Sequence, residues 1–255
     1  MPPVDLGEWM LIYGDIARRL GLDESEDREA RDLADRLLEG GCLDPERLER
    51  LILGRDVLVF GAGPSLESDF EALKGILDRF VTIASDGATS IFLEHGLRPN
   101  VVVTDLDGRM EDLLKADEMG SLMVVHAHGD NVEALRRYLR RFKAVLPTTQ
   151  VEPKGCVRNF FGFTDGDRAC YLAVGMGARS LTLAGMDLGD KVGKYSKPRP
   201  NYERKLKKLR ICKELLGVLS SMTAIPLYNV TLMGEEIPGF KRLGYEELKK
   251  VFNVE

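Results

Sequence analysis

From Asp56 onward, short apolar runs alternate with stretches in which apolar residues recur every three or four positions. The runs are Val57–Phe60, Phe80–Ala84, Val101–Thr104, Leu122–His126, Ala144–Leu146 and Ser180–Ala184. Each has the length of a strand buried on both faces. Between them, Leu66–Leu77, Ala88–His95, Met110–Met119, Val132–Phe142 and Asp167–Met176 carry the spacing of amphipathic helices. This rhythm predicts an α/β fold, a mostly parallel sheet with helices on both faces. After Gly185 come a loop rich in Gly, Lys and Pro, a long basic helix over Tyr202–Leu219, a short strand over Ile225–Asn229 and a last helix near Tyr245–Phe252.

Residues 1–54 differ. Ala30, Leu33, Ala34, Leu37 and Leu38 recur at helical spacing, Gly40-Gly41 stops that helix, and Asp44-Pro45 caps the next. The chain thus divides into an N-terminal helical region, 1–54, and an α/β domain, 55–255. No chemistry is expected from the first region. Its apolar stripes are expected to pack on the main domain or on a second subunit, which leaves a homodimer open.

Composition narrows the function. At 44% hydrophobic and 30% charged, the 255-residue chain suits a compact fold, and a net charge of -5 gives no reason to expect a nucleic-acid partner. No apolar run approaches the ~20 residues that span a bilayer, so no membrane partner is expected. The opening MPPVDLGEW lacks the features of a signal peptide, which makes a cytoplasmic location the expectation. Cys42, Cys156, Cys170 and Cys212 form no CxxC pair and are expected as buried, reduced thiols.

Chemistry concentrates where the strands end, which is where parallel sheets bind ligands. The first run leads into Gly61-Ala62-Gly63-Pro64-Ser65, a Rossmann-like glycine turn at a helix start. It departs from the dinucleotide fingerprint at Leu66, and it serves either a nucleotide phosphate or a purely structural turn. Later strand ends carry Asp86-Gly87, Asp105-Leu106-Asp107-Gly108, His126-Ala127-His128-Gly129-Asp130, Asp165-Gly166-Asp167 and Gly185-Met186-Asp187. Asp beside Gly also serves as a helix cap. Asp105 and Asp107 stand apart: two residues separated, they are expected on one side of the strand end, where their like charges favour a cation, Mg²⁺ above all. His126 and His128 alternate as a zinc HxH pair would, but a third histidine is available only at position 95. Lys191, Lys194 and Lys197 lie in a loop suited either to closing over phosphates or to the solvated surface.

The segment from Asp86 to Gly108, DGATSIFLEHGLRPNVVVTDLDG, resembles the signature of thiamine pyrophosphokinases, with Thr104 in place of a glycine and Gly108 in place of a serine. The wider series GAGPSLE, SDGA, TDLDG, HAHGDN, GFTDGDRA and GMDLG…GKYS, from Gly61 to Ser196, is similar in order to the archaeal 6-hydroxymethyl-7,8-dihydropterin diphosphokinases, the MptE-like family. That resemblance implies diphosphate transfer from ATP to the pterin's hydroxymethyl group, with release of AMP, in tetrahydromethanopterin or folate-type cofactor biosynthesis. It implies Mg²⁺ on Asp105 and Asp107, and Lys194 neutralising the transferred charge. Gly61, Gly63 and Ser65 would lie near the nucleotide, and Asp86, Asp130, Asp165 and Asp167 are candidates for metal, ribose or pterin contacts. Two other readings fit parts of the pattern. One is a nucleotide-sugar-dependent glycosyltransferase-like protein. The other is a non-catalytic nucleotide-binding module with Asp86 on a ribose.

Overall fold

The computed structural model describes residues 5–39, 41–196 and 202–253. Three helices lead: α1 (Leu6–Leu20), α2 (Glu24–Leu37) and α3 (Pro45–Ile52). Each starts on an aspartate cap, as Asp5, Asp23 and Asp44 accept from backbone N–H groups of the first turn.

Eight strands follow: β1 (Asp56–Phe60), β2 (Val81–Ser85), β3 (Val101–Thr104), β4 (Leu122–His126), β5 (Val145–Thr148), β6 (Ser180–Ala184), β7 (Leu227–Asn229) and β8 (Lys241–Arg242). They form one sheet in the order β5-β4-β3-β2-β1-β6-β7-β8. Every pairing is parallel. The connecting helices are α4 (Leu66–Leu73), α5 (Thr89–Glu94), α6 (Met110–Glu118), α7 (Val132–Tyr138), α8 (Asp165–Gly175), α9 (Tyr202–Met222) and α10 (Tyr245–Val251). One sheet face carries Val57, Val59, Ile83 and Val103 into a core with α1, α3, α8 and α9. The alternate residues Leu58, Phe60 and Ala84 pack on α4, α5 and α10, and Val102, Met123 and Val125 on α2, α6 and α7. Both faces are covered, which is why the strands read as unbroken apolar runs.

The chain order reverses at β1, whose neighbours are β2 and β6. A crevice therefore opens beyond the carboxyl ends of these strands. Boundaries shift slightly from expectation: β5 starts at Val145, β7 at Leu227, and α8 two residues early at Asp165. The exposed pair Lys241–Arg242 forms an edge strand with no apolar signal.

Two cysteines overturn the expectation of reduced thiols: Cys42 and Cys156 form a disulfide, with Cα atoms 6.4 Å apart. Cys42 lies beside β5, where Leu43 N donates to Val145 O at 2.7 Å. Cys156 follows β5, and its own N–H donates to Asp35 of α2 at 2.9 Å. The fold closes a separation of 114 residues that sequence spacing does not reveal. Cys170 and Cys212 are buried thiols, as expected. Among the described residues, no helix is long and apolar enough to cross a membrane.

Candidate functional site

Two adjacent strand ends build the centre of the crevice. β2 runs into Asp86, which takes a left-handed backbone (φ 43°), and β3 runs into Asp105-Leu106-Asp107, with Leu106 left-handed (φ 66°). Such a conformation costs a non-glycine residue about 1–2 kcal/mol. Side-chain hydrogen bonds hold it: Leu106 N donates to Thr104 Oγ1 at 2.9 Å and Asp107 N to Asp105 Oδ1 at 3.2 Å. The Thr104 hydroxyl also donates to Asp86, and Gly108 N reaches Asp86 Oδ1 at 3.2 Å. A Cβ on Gly108 would lie 2.7 Å from Asp86 Oδ2, so this position admits only glycine without displacement.

The result is one carboxylate oxygen each from Asp86, Asp105 and Asp107, all within 4.8 Å of one another. Three such hard oxygen donors suit a divalent cation that keeps water or phosphate as its other ligands. Asp105 and Asp107 meet through the turn at Leu106, because β3 ends at Thr104, and not through strand alternation. His128 Nε2 stands 3.4 Å from Asp105 Oδ2, and Asn131 Nδ2 donates to the main-chain carbonyls of both Asp105 and His126 at 2.7 Å.

The glycine turn after β1 has a different employment. Gly61 N donates to Ala184 O, Gly63 N to Gly185 O and Ser65 N to Asp187 Oδ2, at 2.8–3.1 Å. These amides are therefore committed to the loop after β6. A Cβ on Gly63 would sit 2.2 Å from Asp187 Oδ2 and 2.5 Å from Gly185 O. The glycines let two loops approach across the β1–β6 reversal, and Gly61 and Gly63 still face the crevice. Ser65 is buried, with its hydroxyl donating to Asp187 Oδ1 at 2.6 Å, and it does not line the cavity.

Around these loops lies a cavity of about 390 Å³. Asp86, Asp105, Asp107, Asp130 and Asp165 line it, together with Lys191 and three basic residues of α9, Arg204, Lys205 and Lys208. Asp130 pairs with Arg204 at 3.5 Å. Asp167 does not line it: buried at the start of α8, it accepts from Phe163 N at 2.6 Å, from Thr164 N at 2.8 Å and from the Thr164 hydroxyl. Lys194 also points elsewhere, exposed and paired with Glu67 at 2.8 Å, whereas its loop neighbour Lys191 reaches the cavity. Lys197 lies outside the described residues.

Gly21, Leu22, Asp23, Glu26 and Asp27 of the N-terminal region also line this cavity. The Tyr13 hydroxyl donates to Asp27, and Gln150 Nε2 donates to Asp27 Oδ2 and to the Tyr13 oxygen at 3.0 Å each. Trp9 Nε1 donates to Gln150 O at 2.8 Å, and Gly129 N to Asp27 Oδ1 at 2.9 Å. Gln150 in turn contacts His126 Nε2 at 3.4 Å, and Thr148 Oγ1 stands 3.1 Å from the other ring nitrogen. Burial, reinforced by Arg168 and His128, holds the His126 imidazole well below its ordinary range. It is therefore neutral near pH 7. Burial also pushes the Asp165 carboxyl well above the carboxylate range, with the charges of Asp105 and Asp86 adding to it. Gln150, a buried cavity residue, escaped sequence reasoning because it belongs to no glycine-flanked strand end. Buried Arg168 lies inside the motif GFTDGDRA, where residue type and spacing assign it no role.

Known proteins resemble this chain in sequence and in fold. Residues 42–193 match the family described as 6-hydroxymethylpterin diphosphokinase MptE-like. Proteins named 6-hydroxymethyl-7,8-dihydropterin pyrophosphokinase are 48% identical over 222 residues in Pyrococcus furiosus, covering 84% of this chain and 94% of that protein. The protein of the same name in Methanothermobacter thermautotrophicus is 44% identical over 191 residues, 74% and 82% of the two chains. In Methanocaldococcus jannaschii the identity is 37% over 237 residues, 87% and 98%. Among solved structures, the MAf glycosyltransferase from Magnetospirillum magneticum shares the fold at 18% identity and a TM-score of 0.58, over 87% of this chain and 38% of that longer one. A thiamin pyrophosphokinase from Geobacillus thermodenitrificans overlaps 65% of this chain and 56% of its own at 20% identity and a TM-score of 0.33. With a family match over more than half its length and relatives of this identity, the chain belongs to the MptE-like 6-hydroxymethylpterin diphosphokinase family.

Proposed function

We propose that this protein transfers diphosphate from ATP to the hydroxymethyl oxygen of 6-hydroxymethyl-7,8-dihydropterin and releases AMP. The observation that carries the reading is the convergence of Asp86, Asp105 and Asp107 in a cavity that Lys191, Arg204, Lys205 and Lys208 also line. The names of the relatives supply the acceptor. A volume of about 390 Å³ lies in the range of small-molecule sites.

In the transfer, the hydroxymethyl oxygen bonds to the β-phosphorus of ATP. The bond from that phosphorus to the α,β-bridging oxygen breaks, and its electron pair leaves on AMP. The hydroxyl proton is released. Chemistry of this kind asks mainly for in-line positioning and neutralised charge. Asp86, Asp105 and Asp107 would hold Mg²⁺, which when bound supplies charge neutralisation to the polyphosphate. Lys191, Lys205 and Lys208 would run along the phosphates, a part given to Lys191 in preference to Lys194 because, of the two, Lys191 lines the cavity. The product is of the kind used to build tetrahydromethanopterin or folate-type cofactors, work of the cytoplasm.

The test is an incubation with ATP, Mg²⁺ and the pterin, separating AMP from ADP. AMP formed only when pterin and metal are both present is the expected result. No AMP with the pterin ends the assignment and makes nucleotide sugars the next ligands to try.

A further inference from the structure

The segment Thr164-Asp165-Gly166-Asp167 offers three side chains able to cap α8, and the cap is built from the outer two. Thr164 and Asp167 close a reciprocal capping box, and Asp167 accepts all its hydrogen bonds from Phe163 and Thr164. Asp165 is left over. It lines the cavity and accepts no hydrogen bond from any described residue. It also lies outside the trio of carboxylates whose oxygens converge within 4.8 Å. Its position is nonetheless fixed, because the adjoining Gly166 is pressed against Met186: a Cβ there would lie 2.7 Å from Met186 Cε.

Arg168, three residues along the same helix, lines the cavity and is 1% exposed. Its Nη2 donates to Phe163 O at 3.0 Å, while Nε and Nη1 have no hydrogen-bond partner among the described residues. Asp165 is the first of its charged neighbours in influence. A half-buried carboxylate and a fully buried guanidinium left short of hydrogen bonds are costly, and they mark a place where a ligand completes the set.

Two N–H donors on a ligand, with the Arg168 charge nearby, favour the ionised form of Asp165 against the burial that raises its pKa. An ionised carboxylate acts only as acceptor, which identifies that ligand edge. Two oxygens side by side match two adjacent N–H donors. The 2-amino-4-oxo pyrimidine ring of a pterin presents such a pair, its exocyclic amino group and the neighbouring ring N–H. Adenine presents an amino donor beside an acceptor nitrogen, and so does the aminopyrimidine of thiamine. We propose that Asp165 is the specificity-determining residue of this site, its two oxygens accepting from the amino group and ring N–H of the pterin, with the Arg168 guanidinium as the counter-charge beneath. This rests on the pterin diphosphokinase reading given above. It makes the start of α8 the pterin end of the cavity and leaves the carboxylate trio for the polyphosphate.

The experiment measures pterin affinity by fluorescence titration without ATP or metal, alongside steady-state kinetics. It compares the native protein with Asp165→Asn, an isosteric change that turns one acceptor into a donor. The variant is expected to bind the pterin about 100-fold more weakly, the discrimination typical of a site built to hydrogen-bond its ligand. Its KM for ATP should stay within about twofold and its thermal midpoint should stay near the native one. An analogue lacking the 2-amino group should lose a similar factor on the native protein and little on Asp165→Asn. Native pterin affinity in Asp165→Asn overturns the inference. So does a collapse of kcat with pterin binding intact, which would make Asp165 part of the transfer chemistry. If the native protein makes no AMP with the pterin, the underlying reading falls. If it does and Asp165→Asn is indistinguishable from it, only the present inference falls.

Discussion

Leu106 decides how two aspartates of β3's end come to face a third from β2. Its left-handed backbone turns the chain so that Asp105 and Asp107 converge, and the Thr104 hydroxyl fixes that turn from below. Asp107 contributes a carboxylate oxygen to this cluster, so Asp107→Asn is expected to lower kcat by about 100-fold or more, some 2.7 kcal/mol of barrier, while the fold survives. Full turnover in that variant would remove Asp107 from the chemistry. The loop lysines separate by placement. Lys191→Ala is expected to raise the KM for ATP about tenfold, whereas Lys194→Ala, which breaks an exposed pair with Glu67, should change it less than twofold. Equal effects would mean that this loop takes another arrangement during catalysis. Gly63→Ala tests the opposite kind of residue. Its methyl would meet Asp187 and the backbone at Gly185, so a loss of about 1–3 kcal/mol in denaturant unfolding is expected, with activity falling as the loops separate.

At the scale of elements, the disulfide binds the turn between α2 and α3 to the loop after β5, and so ties the N-terminal wall of the cavity to the sheet. Closing a loop over a separation of 114 residues restricts the unfolded chain by about 4–5 kcal/mol in the chain-entropy view. Cys42→Ser is therefore expected to lower the thermal midpoint substantially under oxidising conditions. Native protein and variant should converge once a reductant is added, and differential scanning calorimetry with and without it is the check. An identical midpoint in both conditions would mean that the bond contributes nothing. The elements themselves were legible in the chain because each buried strand is an unbroken apolar run, and the connecting helices stood out by their period. What the pattern missed has physical reasons. β8 is two exposed basic residues, α8 starts early because Thr164 rather than a later residue forms the cap, and the cysteines meet only through tertiary structure.

For the whole molecule, the polar interior behind the cavity joins regions far apart in the chain. Trp9, Tyr13 and Asp27 from the N-terminal helices meet Gln150 after β5 and, through it, His126 of β4. Local periodicity registered only the apolar stripe of α2. Tyr13 and Asp27 looked unremarkable because their partner lies more than 120 residues away. The strand-end aspartates of the cavity were legible for the opposite reason, since glycine-flanked acids at parallel strand ends are a local signal. The buried interior also dictates how the fold responds to acid. His126 stays neutral in the folded protein because burial holds it well below its ordinary range. The unfolded chain takes up a proton near pH 6.5, so in the window from there down to the depressed folded value the unfolded state binds more protons. Stability must then fall with pH across that window, by at most about 1.4 kcal/mol per pH unit. Asp165 acts in the opposite sense: its raised carboxyl contributes stability at low pH that is lost as pH rises through its folded range. Comparison of native protein with His126→Gln in matched metal-free buffers subtracts that opposing contribution. Urea unfolding between pH 7 and 5 is expected to show the native protein losing stability more steeply than the variant, by close to one proton. Parallel curves would mean that His126 charges in the folded state, and that burial does not keep it neutral.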